Sequence, residues 1–215
     1  ASVQEMADFV GLGFDLAFKY RNPVMMLADG VVGQMMEKVV LPPVRPRRTD
    51  EEIALQCPWA VTGCPETRRP NVQTTLELDP ALMEKNNIHL QEKYDLISAN
   101  EVRFQEYETE DAEYLVMAFG SVARICQKAI EEARAKGIKV GLLRPITLWP
   151  FPAAEVARLS RQVKGILVVE LNAGQMIEDV RLSLDERVPV HHFGRMGGIV
   201  MDPDEVLQAL KDKFE

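Results

Sequence analysis

The hydrophobic pattern in the second half of the chain predicts buried strands that alternate with helices. Three stretches are nearly unbroken apolar runs, as expected for strands buried on both faces of a sheet: "EYLVMAFG" (Glu113–Gly120), "KVGLL" (Lys139–Leu143) and "GILVVEL" (Gly165–Leu171). "VPVHHF" (Val188–Phe193) predicts a weaker fourth strand, because Pro189 suits a sheet edge or a strand start better than a sheet centre.

Helical patterns separate these strands. An apolar stripe at helical spacing follows the first strand and ends at Gly137, a common residue just beyond a helix C-terminus. Further helices are predicted near Pro152, near Gly174 and at Asp202, which opens an N-terminal capping sequence. Strands and helices in this order imply right-handed crossovers. We therefore predict that residues 106–215 form a three-layer α/β domain with a mostly parallel sheet.

The first 40 residues have a different pattern. Residues 5–20 predict a helix that is apolar around most of its circumference, and "NPVMMLADG" (Asn22–Gly30) predicts another strand buried on both faces. One helix and one strand cannot cover all of these faces. We therefore expect residues 1–40 to be the tail of an incomplete second α/β domain, in a chain that is a fragment or is completed by a partner. Four methionines are expected to fill its core: Met25, Met26, Met35 and Met36.

Residues 41–105 predict an irregular connector followed by a long charged helix. The connector is rich in proline and has little periodicity, as in "LPPVRPRRTDEE". Asp79 and Pro80 then begin a helix that we expect to reach about Phe104. Its few apolar residues lie on one face, which we expect to pack across a domain surface: Leu90, Tyr94 and Ile97.

Charge and cysteine usage narrow the classes of partner and site. The net charge of −8 argues against a nucleic acid or an anionic membrane as the main partner, since both require a basic face. No apolar run approaches the roughly 20 residues of a membrane span, and the N-terminus lacks signal-peptide features. We therefore expect a cytoplasmic protein. Three cysteines, Cys57, Cys64 and Cys126, favour reduced thiols over metal ligands, because the spacing of the first two fits neither a zinc site nor a common iron–sulfur motif.

A proline-rich loop is predicted where ligands and partners usually meet a parallel sheet. "RPITLWPFP" leaves the carboxyl end of the second strand, and Pro145 cannot donate a ladder hydrogen bond. The loop is therefore stiff and presents Trp149 and Phe151 at the rim of the sheet. Large aromatic side chains there suit a protein interface, but they equally suit a plug of the core beneath the loop. Both interpretations stay open from the sequence.

Four segments carry a family resemblance, namely "SVQEMADFVGLGFDLAFKYRNPVMMLADGVVGQ", "GLLRPITLWPFP", "VVELNAGQMIEDVR" and "FGRMGG". Together they resemble the alpha subunit of thiamine-diphosphate-dependent 2-oxoacid:ferredoxin oxidoreductases, in the 2-oxoisovalerate and 2-oxoglutarate branch. The resemblance covers nearly the whole chain and corresponds to the C-terminal part of that subunit. It implies that residues 1–40 are the tail of a pyrimidine-binding domain. Residues 106–215 would then resemble the C-terminal domain of transketolases.

The resemblance also implies a reaction and its cofactors. Such enzymes decarboxylate a 2-oxoacid oxidatively to an acyl-CoA and reduce ferredoxin, using thiamine diphosphate with Mg and iron–sulfur clusters. In this family, the glutamate that activates the cofactor lies in a part of the subunit that would precede Ala1. A separate beta subunit holds the diphosphate. We therefore expect no catalytic residue, no metal and no bound cofactor in this chain alone. The implied partners are the beta subunit, ferredoxin and coenzyme A, with gamma and delta subunits as further candidates, in a dimer of heteromers.

The first candidate rim or interface residues come from the N-terminal half of these motifs. By resemblance, Gln4 and Glu5 lie near the active-site side of the pyrimidine-binding domain; alternatively, Glu5 is a carboxylate favoured at a helix start. Asp29 and Gly30 end the predicted first strand at its carboxyl edge, where they either contact a ligand or form an ordinary Asp-Gly turn. Arg144, in "GLLRPITLWPFP", is a further candidate.

The remaining candidates follow the third and fourth strands. Glu170 and Asn172 end a strand, and Gly174 and Gln175 open the next helix, whose N–H groups could attract an anion or an acidic partner side chain. The alternative is an Asn cap and a tight turn.

The "FGRMGG" segment offers the last candidates. Arg195 could bind a coenzyme A phosphate or an interface carboxylate beside Gly197 and Gly198, or could be a solvated side chain. We do not expect His191 or His192 to be a catalyst, since only one of them can face the core. As an alternative to an enzyme subunit, the same rim would serve a non-catalytic assembly module.

Overall fold

The computed structural model describes residues 1–61, 63, 69–185 and 188–214, which belong to two compact units. The first unit contains residues 1–40 and the chain from Asp95 onward, and the second is Leu41–Tyr94. The described residues form eight helices: α1 (Val3–Tyr20), α2 (Gly30–Gln34), α3 (Asp50–Gln56), α4 (Pro80–Asn100), α5 (Gly120–Ala135), α6 (Ala153–Ser160), α7 (Met176–Leu182) and α8 (Pro203–Phe214). They also form one sheet: β1 (Phe104–Tyr107), β2 (Tyr114–Met117), β3 (Val140–Pro145), β4 (Gly165–Glu170) and β5 (Val190–Gly194).

The sheet has the strand order β1-β3-β2-β4-β5. The pairs β2–β3, β2–β4 and β4–β5 are parallel, whereas β1 pairs antiparallel with β3. The predicted mostly parallel sheet is therefore confirmed, with the fourth predicted strand at an edge. The prediction missed β1, because it extended the preceding helix to Phe104 whereas α4 ends at Asn100.

Helices cover both faces of the sheet. Val116, Leu142 and Leu167 pack in one apolar cluster with α5 and α8. Leu115 and Met117 pack in the opposite cluster with α6 and α7. Successive side chains on a strand point to opposite faces, so only a continuous apolar run can fill both clusters. The unbroken runs in the sequence thus follow from the three-layer architecture.

The last helix packs closely on β4 because of a glycine. A Cβ atom at Gly165 would lie 2.2 Å from the ring of Phe214, so a side chain there would displace the end of α8. The ring of Phe214 stacks on Tyr114, with 4.7 Å between the ring centroids. The predicted N-terminal cap of α8 is confirmed, since Asp202 and Glu205 exchange reciprocal hydrogen bonds of 2.9 and 3.1 Å.

The N-terminal segment differs from the prediction. Asn22–Asp29 forms no strand, and in α1 only Tyr20 is buried. The expectation of core methionines is wrong for Met25 and Met36, which are 81% and 99% exposed. Met26 is also exposed, at 41%. The physical reason is that the described chain supplies neither strands beside this segment nor a second layer over it.

The middle of the chain contains more order than predicted. Helix α3 forms in the expected irregular connector and carries a capping box between Thr49 and Glu52. Cys57 and Cys126 are buried free thiols, while Cys64 lies outside the described residues. Burial raises the pKa of the Cys126 thiol, which keeps it protonated and inert. Among the described helices, none combines the length and apolar character needed to cross a bilayer.

Candidate functional site at the carboxyl rim of the sheet

The candidate residues gather where the parallel strands end. Loops from four strands meet at this edge, because the carboxyl ends of parallel strands point the same way. They are residues 118–120, 146–152, 171–175 and 195–200. We refer to these four loops as the carboxyl rim.

Arg144, the penultimate residue of β3, is buried and pairs with a predicted candidate from α1. Its guanidinium donates to Glu5 Oε2 at 2.6 Å and to Gln105 Oε1 at 3.0 Å. Burial would raise the pKa of Glu5, but hydrogen bonds from Arg144 and from the N-terminal amino group of Ala1 lower it to about 2. Glu5 lies in the first turn of α1, where a carboxylate is favoured. The Glu5–Arg144 pair therefore fixes the start of α1 against the sheet.

Gln4 has a more local role. Its side-chain amide accepts from the backbone N–H of Val40 at 2.8 Å and donates to the Val40 carbonyl at 3.0 Å. This two-point contact holds the two ends of the N-terminal segment together. These hydrogen bonds of the Gln4 side chain are therefore made within residues 1–40.

Asp29 is a cap for two helices. Its Oδ1 accepts from Val32 N at 2.8 Å at the start of α2, and its Oδ2 accepts from Ser121 N at 3.1 Å at the start of α5. Burial raises the pKa of Asp29, but the hydrogen bonds from Val32 and Ser121 outweigh it and lower the pKa. The predicted Asp-Gly strand end is therefore wrong, and Gly30 is instead the exposed first residue of α2. Asp29 nevertheless lies beside the carboxyl rim, because it contacts the start of α5.

A third carboxylate also joins the N-terminal segment to the C-terminal domain. Glu37 accepts from Arg124 of α5 at 2.6 Å and from Val3 N at 2.8 Å. Glu5, Asp29 and Glu37 thus each form a polar link between residues 1–40 and the domain that contains the sheet. These links hold the N-terminal segment at a defined position in the first unit.

A buried carboxylate that the sequence analysis missed lies just before β1. Glu101 accepts from Tyr20 Oη at 2.5 Å, from Lys19 Nζ at 2.7 Å and from Arg103 at 2.8 Å. The hydrogen bonds from Lys19 and Tyr20 lower the pKa of Glu101 to about 2, against the effect of burial. No local motif marks this residue, because two of its partners lie some 80 positions earlier.

The carboxylate of Glu170 caps the N-terminus of α7, which the sequence suggested as an anion site. Its buried carboxylate accepts from three backbone N–H groups at the start of α7: Gln175 at 3.2 Å, Met176 at 2.9 Å and Ile177 at 3.2 Å. Asn172 also donates to Glu170 at 3.0 Å. The interpretation of free N–H groups is therefore wrong, because a carboxylate of the same chain already occupies them.

The neighbouring loop is a tight turn, as the alternative interpretation held. Asn172 Oδ1 accepts from Gly174 N at 2.7 Å, and α7 begins at Met176 with Gln175 at its cap position. The loop also approaches β5 closely, since a Cβ atom at Gly194 would lie only 2.2 Å from the Asn172 carbonyl oxygen. These contacts bring Glu170, Asn172, Gly174 and Gln175 together at one corner of the rim.

The arginine of "FGRMGG" also has a partner in this chain. Arg195 pairs with Glu205 of α8 at 3.2 Å, so it is not a simple solvated side chain. Gly197 and Gly198 have φ angles of 72° and 84°, a region that favours glycine. The two glycines are exposed and turn the chain back toward α8.

The two aromatic residues of the proline-rich loop, Trp149 and Phe151, lie in different environments. Trp149 is 57% exposed, whereas Phe151 is half-buried against the cluster of α6 and α7. The Trp149–Pro150 peptide bond is cis. Phe151 thus serves the core, and Trp149 is displayed at the rim.

A cavity of about 660 Å³ opens beside this loop, within the first unit. Its walls are the inner face of α1, residues 22–29 and residues 144–150, and they are mostly apolar. Arg103, Arg144 and Glu101 supply polar groups to the lining.

Comparisons with known proteins agree with the resemblance seen in the sequence. Residues 112–206 match the family model described as pyruvate:ferredoxin oxidoreductase core domain II. The ketoisovalerate oxidoreductase subunit VorB of Methanothermobacter marburgensis is 43% identical over 211 residues, a match that covers 98% of this chain and 58% of VorB. The chain is therefore a homologue of VorB.

The wider set of relatives is consistent with this assignment. The 2-oxoglutarate synthase subunit KorA of Methanothermobacter thermautotrophicus is 32% identical over 232 residues, covering 98% of this chain and 61% of KorA. The chain thus spans about three fifths of the length of the curated relatives it matches. Both relatives are enzyme subunits: VorB belongs to a ketoisovalerate oxidoreductase and KorA to a 2-oxoglutarate synthase.

A solved structure shows the same fold. The 2-oxoglutarate:ferredoxin oxidoreductase from Magnetococcus marinus, with 2-oxoglutarate, coenzyme A and succinyl-CoA bound, matches with a TM-score of 0.58 and 20% identity. The match covers 69% of this chain and 25% of that chain. At this identity the likeness concerns the fold alone.

The carboxyl rim of this VorB homologue does not fit a diphosphate at its two prominent helix starts. Helix N-termini at the carboxyl edge of a sheet are common phosphate sites. Here the starts of α5 and α7 hold the carboxylates of Asp29 and Glu170. We therefore assign no step of cofactor chemistry to these positions. Within the described ranges, no group of three His, Cys, Asp or Glu side chains is placed to hold a metal ion.

Proposed function

We propose that the chain is the C-terminal part of the alpha-type subunit of a 2-oxoacid:ferredoxin oxidoreductase. The complete complex would decarboxylate a 2-oxoacid, pass the acyl group to coenzyme A and transfer two electrons through iron–sulfur clusters to ferredoxin. The observation that supports this proposal best is the 43% identity to VorB across 98% of the chain. Thiamine diphosphate would supply the carbanion stabilisation that the decarboxylation needs.

The substrate proposed for this complex is a branched-chain 2-oxoacid. Identity is 43% to VorB, a ketoisovalerate oxidoreductase subunit, and 32% to KorA, a 2-oxoglutarate synthase subunit. The pyruvate synthase subunit PorA is 30% identical, and its match covers only 50% of this chain. This ranking supports ketoisovalerate above 2-oxoglutarate and pyruvate.

The role proposed for this chain is to position and dock rather than to carry out bond making. Asp29 and Glu170 already cap helices at the rim, and Arg144 and Arg195 are paired with carboxylates of the same chain. Trp149 lies in the loop after β3 and is 57% exposed. Exposed aromatic residues are frequent anchors of protein interfaces. The proposed partner at this position is the beta-type subunit that binds the cofactor.

The test is an assay of the complex isolated from its native source through a tag on this chain. Coenzyme A-dependent reduction of a viologen dye is measured with ketoisovalerate, 2-oxoglutarate and pyruvate as substrates. We expect co-purification with a thiamine-binding, iron–sulfur chain and the highest kcat/KM for ketoisovalerate. Recovery of this chain without such a companion, or activity with none of the three acids, would contradict the proposal.

A pair of variants tests the proposed role of the tryptophan. Trp149→Ala is expected to weaken co-purification of the beta-type chain, because it truncates a large side chain at the rim. Leu182→Ala is the control, since Leu182 is 85% exposed but lies at the end of α7. Equal recovery of the beta-type chain with both variants would place the interface away from Trp149.

A further inference from the structure

A segment of the second unit, between α3 and α4, has the residue pattern of a β-strand. It is "RPNVQTTLELD" (residues 69–79), and its aliphatic residues fall only on even-numbered positions: Val72, Leu76 and Leu78. In a strand these three side chains share one face, because successive side chains point to opposite faces. They are 78%, 70% and 83% exposed. Three large aliphatic side chains at this exposure indicate a surface that packs against further protein.

Polar side chains on the odd-numbered positions bind a loop of the same unit. Asn71 Nδ2 donates to the Pro58 carbonyl at 2.7 Å and to the Ala60 carbonyl at 2.9 Å. Gln73 Nε2 donates to the Trp59 carbonyl at 3.1 Å. The odd-numbered side chains are thus turned toward their own chain, and the exposed aliphatic side chains lie on the alternate positions.

The backbone of this segment can accept a partner strand. Residues 70–78 belong to no helix or strand, and they make no backbone–backbone hydrogen bond with any residue that the structure describes. Leu76 N donates locally to Thr74 Oγ1 at 3.2 Å. The end of the segment is fixed, since Asp79 Oδ1 accepts from Ala81 N at 2.8 Å at the start of α4. A segment with such a backbone and an apolar face is a template for pairing with another chain.

The segment is complementary to itself in the antiparallel direction. When two copies pair about Thr74, Val72 of one copy lies opposite Leu76 of the other, and Arg69 lies opposite Asp79. An aliphatic pair and a pair of opposite charges are both favourable cross-strand neighbours. Each pair occurs twice across the two-fold axis, as in an isologous interface. Parallel pairing in register would instead place Arg69 opposite Arg69 and Asp79 opposite Asp79.

We propose that residues 69–79 form a two-fold antiparallel ribbon with the same residues of a second copy of this chain. The pairing supplies hydrogen-bond partners to the backbone of both copies and brings Val72 and Leu76 of both copies together around the axis. A two-stranded ribbon is only marginally stable by itself. We therefore expect a reversible dimer with a dissociation constant in the micromolar range. The inference does not depend on the proposed reaction.

Cysteine cross-linking of the 215-residue chain tests the register of the ribbon. Thr74→Cys places a thiol on the two-fold axis, opposite the same thiol of the second copy. Thr75→Cys is the matched control, because its thiol lies opposite Gln73 of the second copy. Under mild oxidation we expect at least tenfold more disulfide-linked dimer with Thr74→Cys than with Thr75→Cys. The buried thiols of Cys57 and Cys126 are common to both variants and to the unaltered chain, which gives the background.

Sedimentation velocity tests the apolar face. Leu76→Lys is expected to weaken dimerisation at least tenfold, since it places a charge in an apolar contact. Leu182→Lys makes the same change at an exposed leucine of α7 and should leave dimerisation unchanged. Because both side chains are largely exposed, the variants should fold like the unaltered chain, which their thermal midpoints check. In the dimer, amide exchange of residues 70–78 should slow at least tenfold, because ladder hydrogen bonds protect these amides.

Several outcomes would overturn the proposal. They are a chain that stays monomeric at about 100 μM, equal cross-linking of Thr74→Cys and Thr75→Cys, and equal effects of the two lysine variants. Protection of residues 70–78 that arises only when the beta-type chain is present would assign the segment to that chain and also reject the proposal. The proposed function is tested separately by the substrate assay on the native complex, so either idea can fail alone.

Discussion

Glu170 offers a sharp test of how the rim is held together. Its carboxylate is buried between β4 and α7 and accepts from three successive backbone N–H groups. Glu170→Gln keeps the size and one acceptor oxygen but removes the charge. It also turns an amide NH₂ group toward backbone donors, which cannot accept from it.

The expected cost follows from these contacts. A hydrogen bond to a charged group contributes about 1.5–3 kcal/mol, and a buried donor left unsatisfied costs about 1–3 kcal/mol. The glutamine oxygen can still serve one or two of the three donors at distances of 2.9–3.2 Å. We therefore expect Glu170→Gln to lower the free energy of unfolding by about 2–4 kcal/mol.

The assay is urea unfolding followed by circular dichroism, with Glu131→Gln as the matched control. Glu131 is 53% exposed and pairs with Lys128 three residues earlier, so its replacement should cost less than about 0.5 kcal/mol. Hydrogen exchange should also show faster opening at the start of α7 in Glu170→Gln. A loss no larger than that of the control would refute the assignment of Glu170 as the cap of α7.

Three further predictions address other contacts. The pKa of Glu101 is lowered from 4.5 to about 2 in the folded state. The ionised carboxylate therefore stabilises the folded chain above pH 4.5, and this contribution is lost as the pH falls toward 2. The difference in thermal midpoint between the parent and Glu101→Gln should shrink across that range. Gly194→Ala should destabilise by about 1–3 kcal/mol because its Cβ would meet the Asn172 carbonyl, whereas Gly33→Ala, with open space around it, should not. Asp29→Ala should cost about 1 kcal/mol in urea unfolding and speed amide exchange at the start of α5, and no change at Ser121 would contradict the double cap.

The sequence predicts the C-terminal domain well because its signals are local. Strands buried on both faces must be continuously apolar, and the cap at Asp202 is encoded within four residues. The antiparallel strand β1 was not predicted, because "FQEY" is short, half polar and lies at a sheet edge. Its sequence continues a helical pattern as readily as it begins a strand.

The candidate site was only partly predictable. The motifs located the rim, and they named Glu5, Arg144 and Glu170 without their partners. The pairs that decide what each residue does join distant positions, such as Glu5 with Arg144, 139 residues apart. Glu101 was missed for the same reason. For Asn22–Gly30 the pattern of a strand is present, but a strand also needs neighbours to pair with, and the described chain provides none.

The double cap at Asp29 bears on the order in which the chain can fold. A ribosome releases Asp29 long before Ser121, whose N–H the same carboxylate accepts across 92 positions of sequence. The wait is longer for Glu5, whose arginine follows 139 residues later. Until those residues emerge, α1 cannot make these contacts with the domain that contains the sheet. Closing loops of this length also costs conformational entropy before any contact repays it. Residues 1–40 are thus synthesised well before the residues that fix them in place, and their apolar side chains are open to aggregation during that interval.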